Sequence, residues 1–168
     1  DGIYDALNIG KRQVRTPLVH YLNAGDILFG NAYKDISHPC LLPVVFVDEK
    51  GMECGTDRIK LMGTSYNHQG IVVYSEHREF DLTYSIAADY KMLLQEFPDG
   101  LRALKLSNSG GVKYLLGGAS SQKTLEVCVQ KIRITFEERP FLGLPIIIIL
   151  LSKALVPRTF RRWILKRL

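Results

Sequence analysis

The sequence predicts an α/β fold. Short apolar runs rich in β-branched residues recur between segments whose apolar residues fall at helical spacing, which is the pattern of mixed strands and helices. An apolar fraction of 46% with 23% charged residues is ordinary for a globular domain and excludes the disordered and collagen-like classes. At 168 residues the chain is long enough for one domain with a sizeable core.

In chain order, Ile3, Leu7, Gly10 and Val14 predict a helix from Gly2 to about Arg15, ended by Thr16-Pro17. Leu18 to Leu22 reads as a short buried strand that stops at the turn formers Asn23-Ala24-Gly25-Asp26. Leu41 to Asp48 is a second strand, and Glu49-Lys50-Gly51 turns it back toward Met52-Glu53-Cys54. Gly70 to Ser75 is a third, directly after Asn67-His68-Gln69. Ile86, Tyr90, Leu93, Leu94 and Phe97 mark a helix closed by Pro98-Asp99-Gly100. Val112 to Leu116 is a strand ending at Gly117-Gly118-Ala119-Ser120. Leu125, Val129, Ile132 and Phe136 mark a further amphipathic helix.

The C-terminal stretch has a different character. Phe141 to Ser152 is uncharged and rich in Ile and Leu, but shorter than the roughly 20 residues a spanning helix needs. Beyond it, Lys153, Arg158, Arg161, Arg162, Lys166 and Arg167 interleave with Phe160, Trp163, Ile164 and Leu168, without an acid. The net charge of +5 is compatible with nucleic acid, anionic lipid or phosphorylated substrates. The greasy run beside the cations favours a lipid surface, since phosphodiester binding needs charge alone. The three cysteines are widely spaced, which argues against a disulfide framework or a zinc site. The N-terminus has neither a basic start nor an apolar run, so no signal peptide is expected. It opens without Met directly into a helical pattern, as a piece with an upstream part would.

Several residues are candidates for chemistry. Asp26 follows a strand, where α/β sheets collect ligands, and a carboxylate there can hold a divalent cation against a diphosphate; the run is equally a plain turn. Asp89, after two alanines, can serve as a general base if a hydroxyl is in reach, or simply favour the start of a helix. His68 can ligate metal or bind phosphate, or be structural.

Taken together and in this order, the segments resemble family 2 glycosyltransferases, in particular a bacterial subgroup that assembles capsule, O-antigen and exopolysaccharide. The resemblance lies in Gly2-Ile-Tyr-Asp-Ala-Leu-Asn8, Tyr21-Leu-Asn-Ala-Gly-Asp26, His68-Gln69, Phe80-Asp81-x-x-Tyr84-x-Ile86-Ala87-Ala88-Asp89-Tyr90 and Gly117-Gly118-Ala119-Ser120. It covers roughly residues 1–140, leaving 141–168 as a separate membrane-surface tail.

The resemblance implies a GT-A fold, here with its first strands missing, so that the nucleotide-sugar-binding sheet is incomplete and the isolated chain inactive. It implies sugar transfer from a nucleotide-sugar to a saccharide or polyprenyl-linked acceptor with inversion. Asp26 would end the motif that holds Mg2+ or Mn2+, and Asp89 would be the catalytic base. His68 and Gln69 would lie near the diphosphate or acceptor, and Asp1 and Asn8 near the nucleotide. Asn23 and Gly25 stand where other members carry carboxylates. The competing expectation is a non-catalytic module of the same descent, held on the inner face of the cell membrane by its tail.

Overall fold

A computed structural model describes residues 2–60, 65–117, 123–140 and 147–148. Asp1, Gly118-Ala119-Ser120 and all but two residues of the proposed tail lie outside the described residues. Within them the elements run α1 (Ile3–Gln13), β1 (Leu18–His20), β2 (Ile27–Gly30), β3 (Cys40–Leu41), β4 (Val44–Val47), β5 (Glu53–Thr56), β6 (Ile71–Tyr74), α2 (Ala88–Glu96), β7 (Lys105–Leu106), β8 (Gly110–Leu115) and α3 (Thr124–Glu138). Single 3-10 turns form at His68–Gly70 and Leu101–Ala103.

The architecture is mixed α/β, with two four-stranded sheets of mixed direction. One has the order β1-β6-β3-β7, in which β3 and β7 run parallel and the other pairs antiparallel. The other has the order β2-β8-β4-β5, in which β4 and β8 run parallel.

The apolar run expected as one strand from Leu41 to Asp48 is two strands, each in a different sheet. The break falls at Leu42-Pro43. Proline has no N–H, so a ladder cannot continue through it. The neighbouring groups find other partners: Leu42 N–H donates to the Gly70 carbonyl at 2.7 Å, and the Pro43 carbonyl accepts from Val112 N–H at 2.8 Å. Leu42, Val44, Ile71 and Val112 meet in the same buried cluster as Tyr84, Tyr90, Leu94 and Ile134.

α1 starts at Gly2, whose φ of 128° suits glycine, and buries Tyr4 and Asn8, one turn apart. α3 forms where its periodicity predicts, but of the four residues of the expected stripe Ile132 alone packs against the core. Leu125, Val129 and Phe136 are 68%, 58% and 57% exposed, while Cys128, Ile134 and Thr135 are buried. The physical reason is a polar seam that fastens α3 to α2 and the loop before it. Glu137 accepts from Tyr84 Oη at 2.6 Å, Glu126 from Ser85 Oγ at 2.9 Å, Gln130 from Ile86 N–H at 3.1 Å and Glu138 from Gln95 at 2.8 Å.

Candidate functional site

The site is built around the His68–Gly70 turn, which four contacts hold in place. Asn67 Oδ1 caps it by accepting from Gln69 N–H at 3.0 Å, and Asn67 N–H is itself held by Asp57 at 2.7 Å. His20 Nε2 donates to the Gln69 carbonyl at 2.6 Å, while its Nδ1 accepts from Tyr33 Oη at 2.9 Å. Burial pushes the His20 imidazole pKa down, in keeping with this neutral tautomer. Gly70 is pressed against the β3–β4 crossing: a Cβ there would lie 2.3 Å from Val44 Cγ2 and 2.8 Å from the Leu42 carbonyl oxygen. No side chain fits between the turn and the crossing.

From this turn, two adjacent side chains each reach a different carboxylate. His68 Nδ1 lies 3.2 Å from Asp89 Oδ2. Gln69 lies close enough to the Asp26 carboxylate to favour its charged form, and Asp26 Oδ1 accepts from Leu115 N–H at 2.8 Å at the end of β8. Burial raises the Asp26 carboxyl above its ordinary range, against the opposing pull of Leu115, Gln69 and His68.

Asp89 sits in the first turn of α2. Its Oδ1 accepts from Tyr4 Oη at 2.9 Å. Burial alone would raise its carboxyl, but the His68 contact, the nearby Lys131 charge and the Tyr4 hydroxyl outweigh burial and hold it well below the carboxylate range. The Tyr4 phenol is pushed up by burial and by Asp89, so it stays a donor. The Lys131 amine, 4.8 Å from the Tyr90 ring centre, is pulled down by burial and back up by Asp89. Among the described residues, two buried polar atoms at the turn have no partner, His68 Nε2 and Gln69 Oε1.

Among the described residues no group of three or more His, Cys, Asp or Glu could hold a metal by itself. Asp26 offers a single carboxylate. That donor set fits a hard cation, Mg2+ or Mn2+, that draws the rest of its shell from phosphate oxygens and water; it does not fit an all-protein cage.

The structure thus brings together Asp26, His68, Gln69 and Asp89. Asn8 is apart from them in function: it is 1% exposed, and both ends of its carboxamide bond the Phe80 backbone. It positions the segment leading to Asp89. Asp1 lies outside the described residues. Sequence reasoning missed Tyr4, His20 and Lys131. Tyr4 lies in the Gly2-Ile-Tyr-Asp motif that carries part of the resemblance, but no role falls to it there. Lys131 carried a weak signal, a lone cation on the α3 side away from the apolar stripe. The chain matches no family model, and comparison with curated proteins finds no significant match.

Proposed function

We propose that this chain is part of a glycosyltransferase of the family 2 type, moving a sugar from a nucleotide-sugar to a polysaccharide or polyprenyl-linked acceptor with inversion. The observation that carries the reading is the His68-Gln69 turn, which sets His68 against Asp89 and Gln69 near Asp26, two carboxylates from distant parts of the chain. Single-displacement sugar transfer needs such a pairing: one group to manage the diphosphate and one to deprotonate the acceptor, on either side of one carbon. Asp26 would hold the divalent cation, whose chemistry is to neutralise charge on the departing diphosphate. Asp89 and His68 form the proton-accepting pair, with Tyr4 and Lys131 behind them. Asp1 would flank the nucleotide side, whereas Asn8, expected there too, fixes the backbone of the segment leading to Asp89.

The tail of residues 141–168 would attach the enzyme to the inner face of the cell membrane, where a polyprenyl-linked acceptor is presented. Among the described residues no helix is long and apolar enough to cross a membrane.

Calorimetry of the full-length protein against a panel of nucleotide-sugars, with and without Mg2+ or Mn2+, tests the function. Cation-dependent binding of one donor, lost in Asp26→Ala, supports it. If no nucleotide-sugar binds, the reading is wrong.

A further inference from the structure

His68 Nε2 and Gln69 Oε1 are buried, adjacent in sequence and without partners among the described residues. The chemistry of their neighbours fixes what they offer. An ionised carboxylate only accepts, so when the His68 ring holds one proton it sits on the nitrogen facing Asp89, Nδ1, and the lone pair is on Nε2. Likewise only the N–H end of Gln69 can address Asp26, which leaves Oε1 over. The turn therefore presents two acceptors and no donor, each unfavourable while unmet. Hydroxyl groups satisfy such acceptors, one O–H for each, and a sugar carries several. Asp89, by contrast, has both oxygens engaged, Oδ1 by Tyr4 and Oδ2 by His68.

We propose that His68, through Nε2, takes the proton from the acceptor hydroxyl, that Gln69 Oε1 fixes the hydroxyl-bearing sugar, and that Asp89 is the positioning residue behind His68. The assignment rests on the transferase reading above. In the step, the hydroxyl proton passes to Nε2 and the oxygen lone pair forms a bond to the anomeric carbon of the donor. The bond from that carbon to the diphosphate oxygen breaks, and the nucleoside diphosphate leaves with the electron pair. Asp89 steadies the imidazolium that forms, as a carboxylate does for histidine in hydrolase triads.

The test uses the full-length protein with its nucleotide-sugar donor. His68→Ala should lower turnover on the order of 10²–10⁴-fold. Added imidazole should restore part of the loss, and substituted imidazoles more as their basicity rises; Asp89→Asn should not be rescued. In wild-type protein, 15N spectra of the imidazole should show Nδ1 protonated and Nε2 bare, a preference that weakens in Asp89→Asn. An Nε2-protonated neutral ring in the wild type overturns the assignment without any variant. So does transfer by the wild type that falls in Asp89→Asn but is indifferent to His68→Gln, in which case Asp89 takes the proton and the transferase reading stands. If the wild type neither binds nor consumes any nucleotide-sugar, both fall together.

Discussion

Asn8 grips Phe80 by both backbone polar groups: its Nδ2 donates to the Phe80 carbonyl at 2.9 Å, and its Oδ1 accepts from Phe80 N–H at 2.8 Å. This double bond of polar groups ties α1 to a segment 72 residues away. It also sets Tyr4, one turn earlier, against the Phe80 ring at 5.5 Å and under Asp89.

Asn8→Ala should therefore destabilise the fold, leaving two buried backbone groups unpaired at about 1–3 kcal/mol each. Thermal melting reads the loss. Donor affinity of the protein that remains folded should be unchanged. A loss of affinity at full stability would instead make Asn8 a direct nucleotide contact.

Asp89→Asn should reduce transfer on the order of 10²–10⁴-fold while donor binding survives, because the carboxylate serves proton transfer, directly or through His68. Asp26→Ala should do the reverse and weaken cation-dependent donor binding first. Single-turnover rates and calorimetry on the two variants separate the effects, and equal loss of binding in both would refute the division of roles.

Gly70→Ala should overpack the β3–β4 crossing and lower stability by about 1–3 kcal/mol. The same change should disturb the His68 ring, because the turn that carries it has nowhere else to go. A variant with a wild-type melting temperature and unchanged imidazole resonances would show that the crossing has more room than the structure gives it.

Acid stability should depend on Asp81. Lys91 lies 2.7 Å from Asp81 and 3.1 Å from Glu137, and the Lys91 contact brings the Asp81 carboxyl down to about 2. A carboxyl depressed in the folded state contributes stability that is full above its unfolded value of about 4 and is lost as pH falls through about 2. Melting temperature against pH should fall across this window in the wild type, and Asp81→Asn should flatten that limb. An unaltered limb would mean that other carboxylates govern it.

The tail gives a separate prediction. Sedimentation with anionic vesicles should carry the protein down at low salt, each Lys or Arg near the surface contributing roughly 1 kcal/mol. Binding should fall with salt and with replacement of Arg158, Arg161, Arg162, Lys166 and Arg167 by Gln. Protein that stays in the supernatant at low salt argues against a membrane location.

Much of this arrangement was legible in the sequence because it is local. The strand after His68-Gln69 and the helix carrying Asp89 follow from apolar spacing and from the Pro98-Asp99-Gly100 stop. β2 was not legible: Ile27 to Gly30 emerges directly from a turn, with two exposed ends and no alternation. The division at Pro43 had a visible cause, the missing N–H, but local pattern cannot say that the two halves belong to different sheets. The inward face of α3 was hidden for a related reason. Periodicity marks a stripe, whereas side-chain bonds from Tyr84, Ser85 and Gln95 decided which side packs. Lys131 became part of the site only through that choice.

The passage through Leu42 and Pro43 also has a consequence for cooperativity. A single pair of residues lends its backbone to Gly70 beside one sheet and to Val112 within the other. Neither sheet can open at that point without stripping partners from its neighbour. Amides of β6 and β8 should accordingly exchange with solvent in one class, through a shared opening, and not as two units of unequal stability.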